Sequence, residues 1–394
     1  MFNRFFSRRK ALRAGVAAAA ATVALAACDV PVGGGGGGPS INARAPVPVA
    51  LLVPYGTENA SEVNLARSLE NAARLAIADL DGVEIDLKVY ATAGSPEQAA
   101  TVAREAVADG ARILLGPVFS AAANAAGVAV APRGINVLSF SNNTAIAGGN
   151  VFVLGNTFEN TARRVVSYLA SLGNRSVLVA YPQSQVGTVG RDAVVQAIAT
   201  TGSQNAGTFS YEPSQTGVIN AVPEIAGAVR ASGATAIVLA DDTTGGVPLL
   251  SQLLLENGVD PTETQFVGLT RWDQPAATLE LPGLQGGLFA LPDPALTSLF
   301  QDRYVAAFGA QPHPIAGLAY DGIAAIGALV KSQQGQALTT SALTQGAGFA
   351  GVSGTFRLRA DGTNERALAV ARIVDRSVTI VSPAQRSFGL EGGS

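Results

Sequence analysis

Few side chains in this 394-residue chain could do covalent or metal chemistry. There is one cysteine, Cys28, and one histidine, His313, which stands between Pro312 and Pro314. A single thiol excludes an internal disulfide and a Cys-rich zinc site. A Cys-His pair cannot be assembled if Cys28 is used elsewhere, and a Ser-His-Asp triad would have to use the one imidazole. No G-x-S-x-G elbow is present, so the nucleophile of that class has no turn to sit on. His313 reads instead as a loop residue near the rim of a cleft. The remaining chemistry is recognition: hydroxyls, amides and carboxylates clustered in short polar loops, and one thiol near the start of the chain.

Cys28 follows Leu25-Ala26-Ala27, a basic start and an apolar stretch from Ala14 to Ala27. A small-residue cleavage site after so short an apolar segment predicts a secretory signal peptide over residues 1–27, not a membrane span. With cysteine first in the mature chain, the pattern resembles a bacterial lipobox. That resemblance implies lipidation of Cys28, an anchor on the outer or inner membrane, and a body in the periplasm. Asp29 resembles an inner-membrane retention signal. Ser7-Arg8-Arg9-Lys10-Ala11-Leu12 resembles a twin-arginine export signal lacking its aromatic, and an ordinary basic n-region reads equally well.

Removing residues 1–27 takes away five basic residues and no acid, which leaves 21 basic against 29 acidic residues and a net charge of −8. Phosphate binding needs a basic footprint, so nucleic acid is not an expected partner. The mature length of 367 residues exceeds the roughly 250–300 at which single cores divide, which predicts two lobes. Gly33–Gly38 satisfies G-x-G-x-x-G formally, but no strand precedes it and no helix follows. It reads as part of a tether over 28–45, and no cofactor motif or metal site is expected elsewhere.

From Val47 onward apolar runs of strand type alternate with helical periodicity. Strands are expected at 47–53, 84–90, 112–115, 135–141, 176–181, 208–211, 235–241 and 265–270. Between them Ser95-Pro96-Glu97-Gln98 is a capping box, Ser120 and Thr157 open helices, and Pro223 must be accommodated inside one. Two helices follow, at 295–308 and 316–332, and antiparallel strands flank the turn Asp361-Gly362-Thr363. Alternation of this kind predicts an α/β fold with parallel central sheets covered on both faces, each lobe three layers thick.

In open α/β sheets ligands bind beyond the carboxyl ends of the strands. Those ends are polar here: Gly116-Pro117-Val118-Phe119-Ser120, Ser139 to Thr144, Tyr181 to Gln185, Asp241-Asp242-Thr243-Thr244 and Thr270-Arg271-Trp272-Asp273. Each also has a plain structural reading, Ser120 as a helix cap and Asp241 as a turn cap.

Val49 to Pro54, Ile113 to Ser120 and the strand ending in Ser141-Asn142-Asn143 resemble the first lobe of a Leu/Ile/Val-binding, type I periplasmic binding protein. Phe140-Ser141-Asn142-Asn143, Val151 to Gly155 and Gly348 to Arg357 resemble the penicillin-binding-protein activator branch of that superfamily. The resemblance spans about residues 46–385. It implies two lobes joined by three hinge crossings, here 46–157 plus 288–350 and 158–287 plus 351–388. It also implies that Ser120 holds a ligand carboxylate, that Ser141, Asn142, Asn143 and Thr144 receive an ammonium group, and that Tyr181 with Asp241, Asp242 or Asp273 closes the site. An anion at the helix start near Ser120 is favoured by the backbone amides as well. Arg271 and Trp272 replace a smaller acidic loop and are bulky enough to fill part of the cleft.

The resemblance thus implies a non-catalytic lipoprotein that docks on a peptidoglycan synthase and stimulates it. The alternative is a substrate-binding protein that hands an amino acid or similar small zwitterion to an ABC permease. An enzyme is not expected, since no nucleophile, metal or cofactor constellation is assembled.

Overall fold

The computed structural model describes residues 37–388. The signal segment, Cys28, Asp29 and the first four residues of the glycine run lie outside them. Apolar runs bounded by polar turns form the strands. Val47–Val53 (β1) is buried along nearly its whole length, as a strand covered on both faces must be. Ala60–Ala78 (α1), Ile85–Ala91 (β2), Pro96–Ala108 (α2), Ile113–Leu115 (β3), Ser120–Val130 (α3), Val137–Ser139 (β4) and Val151–Val153 (β5) follow. The five strands make a parallel sheet in the order β2-β1-β3-β4-β5.

The chain then crosses to a second body: Phe158–Ser171 (α4), Ser176–Pro182 (β6), Gln185–Thr201 (α5), Gln204–Tyr211 (β7), Gln215–Ser232 (α6), Ala236–Leu239 (β8), Val247–Glu256 (α7), Gln265–Gly268 (β9) and Leu288–Leu291 (β10). It returns through Pro294–Phe308 (α8), Gly317–Gln333 (α9), Thr340–Leu343 (α10) and the antiparallel strands Phe349–Gly351 (β11), Gly354–Leu358 (β12) and Asn364–Arg366 (β13). Ala369–Val374 (β14) and Ser377–Ser382 (β15) complete a second sheet, in the order β15-β14-β10-β9-β8-β6-β7. Its strands run parallel except at β10–β14 and β14–β15.

Each sheet separates two apolar layers. In the first lobe Leu65 and Leu69 of α1 pack with Ile326 and Leu329 of α9 on one face, and Val102 and Ala126 of α2 and α3 on the other. In the second, Val218 and Leu250 of α6 and α7 cover one face, and Val165 and Val194 of α4 and α5 the other. Two three-layer α/β lobes result.

The division of the chain between lobes differs from the sequence expectation at both returns. Residues 288–291 pair with β9 through Leu288 and Val267, so they belong to the second sheet and not the first lobe. Residues 351–366 sit with the first lobe, because Phe349, Phe356 and Leu358 are buried in the same core as α1 and α9. The three crossings therefore lie between β5 and α4, between β10 and α8, and between β13 and β14. The edge strand β7 begins four residues before the apolar run that predicted it, because Gln204 and Asn205 pair along β6 despite their polarity.

One buried polar cluster ties two of the crossings, β5 to α4 and β13 to β14, to each other and to α9. Arg366 donates from Nε to the Leu154 carbonyl at 2.7 Å and from Nη1 to Asp321 of α9 at 3.0 Å. Asp321 is fully buried and also accepts from the Val352 amide at 2.8 Å. Asn364 donates to the Val153 and Gly155 carbonyls at 2.7 and 2.8 Å, and Asn160 of α4 donates to Asn364 at 2.6 Å. Buried polar groups held this way specify one arrangement, since each would be costly unpaired.

Candidate functional site

A cavity of about 580 Å³ opens between the lobes, lined from the first by Ser120 and Asn142, from the second by Phe158 and Arg271, and at the crossings by Arg366 and Leu368. Ser120 is brought there by Gly116, whose φ of +92° turns the chain out of β3 and whose Cβ would collide with the Leu52 carbonyl. Ser120 is the first residue of α3, not its cap. The cap position is Phe119, and no side chain caps the helix, whereas Asn59, Ser95 and Thr157 cap α1, α2 and α4. The first amides of α3 and the Ser120 hydroxyl thus meet the cavity as hydrogen-bond donors with no protein acceptor among the described side chains.

The next loop is more self-contained than expected. The Ser141 hydroxyl accepts from the Asn143 amide at 3.1 Å, and the Ser141 carbonyl from the Gly155 amide at 3.0 Å. Asn143 caps its own short turn through the Ala145 amide. Ser141, Asn142 and Asn143 all line the cavity, but Thr144 lies in a separate recess, where its hydroxyl donates to Glu159 at 3.1 Å.

The second-lobe candidates separate in the same way. Tyr181 is not among the residues lining the cavity; the Arg191 guanidinium lies over its ring at 5.2 Å. Asp241 and Asp242 line an adjoining hollow of about 770 Å³ that shares Phe158 and Thr270 with the cavity. The Asp241 carboxylate is occupied by the Tyr211 hydroxyl at 2.6 Å and the Gly246 and Asp242 amides at 2.7 and 2.8 Å, as a turn cap should be. Burial and that carboxylate push the Tyr211 phenol well above its usual range. Asp273 is held by Arg271, whose Nε reaches it at 2.9 Å.

Trp272 does not fill the cleft. It is wholly buried in the second lobe's core, lodged against Gly268 of β9 and Gly287, neither of which leaves room for a Cβ. Turning inward, it leaves Arg271 on the cavity wall. His313 lies beside the cavity: its amide donates to Ser68 at 2.7 Å and its neighbours Pro314 and Ile315 line the wall. Burial lowers its imidazole below the usual value.

The charged residues of the wall, Arg271 and Arg366, were not among the expected ligand contacts. Arg366 had a legible signal in the hairpin register. Opposite Phe356 and Leu358, which face the core, stand Arg366 and Asn364, two polar residues on an inward face.

Two such lobes, three crossings and an open cavity between them define the two-lobed α/β class of the periplasmic binding proteins. A family model described as periplasmic binding protein matches residues 46–377, and the chain belongs to that family. No relative matches among curated proteins. Among solved structures, a putative branched-chain amino acid ABC transporter protein from Rhodospirillum rubrum superposes with a TM-score of 0.72 at 20% identity, over 86% of this chain and 100% of that one. An ABC transporter substrate-binding protein from Desulfitobacterium hafniense in complex with Leu gives 0.61 at 18%, over 86% and 100%. A solute-binding protein from R. palustris in complex with benzoate gives 0.56 at 17%, over 88% and 100%. Proteins of this family work in the periplasm as ligand binders, and no described helix is long and apolar enough to cross a membrane.

Proposed function

We propose that this protein is the substrate-binding component of an ABC importer for a small organic carboxylate of the amino-acid size class, held to a membrane by acylated Cys28. The observation that carries the reading is the uncapped start of α3 with Ser120 on the wall of an open interlobe cavity. Donor amides and a helix N-terminus favour a carboxylate there. Similarity to transporter proteins supports the same reading.

The test is titration calorimetry with thermal shift against amino acids and simple carboxylic acids. Saturable heat and a raised Tm are expected, weakened about tenfold in Ser120→Ala, as for loss of one hydrogen bond to a charged group. No response across both sets overturns the reading. Replacing Cys28 by alanine should release the mature protein from the membrane fraction.

The activator reading rests on Phe140–Asn143, Val151–Gly155 and Gly348–Arg357. These segments form a cleft wall, a sheet edge leading into a crossing, and the hairpin under α9, so each also has a structural role in the fold. Recovery of a peptidoglycan synthase with the membrane-anchored protein would favour that reading over import.

A further inference from the structure

Resting on the importer reading, we propose that the cavity takes a carboxylate that carries no ammonium group, with an apolar body, and that Arg366 binds its oxygen. Three observations carry this. First, the ionisable side chains lining the cavity among the described residues are two arginines, Arg271 and Arg366, with no carboxylate. The nearby acids are already committed: Asp273 to Arg271, Asp241 to Tyr211 and two amides, and Asp321 to Arg366. An ammonium group brought here would lose its water with no charge to replace it, which is costly in a half-closed site.

Second, of the four residues expected to receive an ammonium, Ser141, Asn143 and Thr144 have their side-chain oxygens engaged within the protein. The Ser141 hydroxyl and carbonyl hold Asn143 and Gly155, and the Thr144 hydroxyl holds Glu159 outside the cavity. Third, Arg366 is a built donor with one nitrogen unpaired. Its side chain is 6% exposed, lies over the Phe356 ring at 4.8 Å, and spends Nε on Leu154 and Nη1 on Asp321. Its Nη2 is buried without a partner among the described residues. A buried guanidinium nitrogen left unpaired calls for an acceptor, and an anionic oxygen is the strongest one. The same cavity wall carries Phe119, Phe140, Phe158, Leu269, Ile315 and Leu368, which offer apolar surface to a ligand body. A carboxylate at Arg366 would touch the cluster that joins two of the crossings, β5 to α4 and β13 to β14.

Matched pairs differing only in the ammonium group decide the point. Calorimetry of the mature protein with 4-methylpentanoate against leucine, and 3-phenylpropanoate against phenylalanine, should show each acid binding at least tenfold tighter than its amino acid. The neutral 4-methylpentanamide should bind at least tenfold weaker than its acid. Arg366→Lys keeps a charge for Asp321 but lacks the forked donor; it should fold and lose acid affinity at least tenfold. Amino acids binding as tightly as the acids overturns this inference and leaves the importer reading intact; amide matching acid overturns the carboxylate in both. A folded Arg366→Lys with unchanged affinity overturns the role of Arg366; should that variant fail to fold, the matched pairs on the unaltered protein still decide the ligand class. No binding by either series removes the importer reading and this inference with it.

Discussion

Trp272 lies against Gly268 so closely that the indole occupies the space a Cβ on that glycine would take. The contact turns the 270–275 loop inward and anchors it in the second lobe's core. A methyl at position 268 must displace either β9 or the indole. Gly268→Ala should therefore cost about 1–3 kcal/mol, the usual penalty of overpacking. Urea unfolding followed by the emission of the single tryptophan reads this directly, since Trp272 is wholly buried in the folded protein. A midpoint unchanged from wild type would show that the loop relaxes freely.

The Asp321–Arg366 pair is a second point of leverage. Burial pushes the Asp321 carboxyl up, against the pull of Arg366 and the Val352 amide. Asp321→Ala strands a guanidinium that is 6% exposed, and breaking a buried pair this way costs about 3–5 kcal/mol. Chemical denaturation should show that loss, and amide hydrogen exchange should show it concentrated at Leu154, Val352 and Arg366. Loss spread evenly over both lobes would argue against a local hinge cluster.

Glu365 gives the acid limb of the stability curve. Burial alone would raise its carboxyl, but Arg163, Arg359 and Arg357 together outweigh burial and hold it below the usual range. The folded pKa lies under the unfolded value of about 4.3, so the unfolded state binds more protons between the two. The contribution is complete above about pH 4.3 and is lost as pH falls through the folded pKa. Glu365→Gln should be less stable by roughly 1–3 kcal/mol near neutral pH, the scale of charged hydrogen bonds. The gap between the two proteins should narrow below about pH 4.3 in denaturation curves. A gap constant with pH would remove the electrostatic account.

The parallel α/β plan was readable because its signals are local: apolar runs such as Val47–Val53 and caps such as Ser95 and Thr157. What could not be read depends on direction. Four apolar residues at 288–291 do not say which sheet they join, since either lobe would bury them. Trp272 shows its bulk in the sequence but not its heading, which Gly268 and Gly287 decide by making room on the core side. The place of Ser120 on the cavity wall was legible because a turn, a strand end and a helix start coincide there. Arg366 was not, because an inward-facing arginine becomes visible only once the register against Phe356 is known.

The second sheet is stitched shut by β14 and β15, from the far end of the sequence, with β14 lying along β10. A polypeptide delivered amino terminus first holds β6 to β10 while the outer rim of β10 is still bare, a surface that recruits foreign strands. The second lobe therefore matures only after residues 369–382 have emerged. Any carboxyl-terminal truncation reaching β14 should yield an aggregation-prone product rather than a smaller working one.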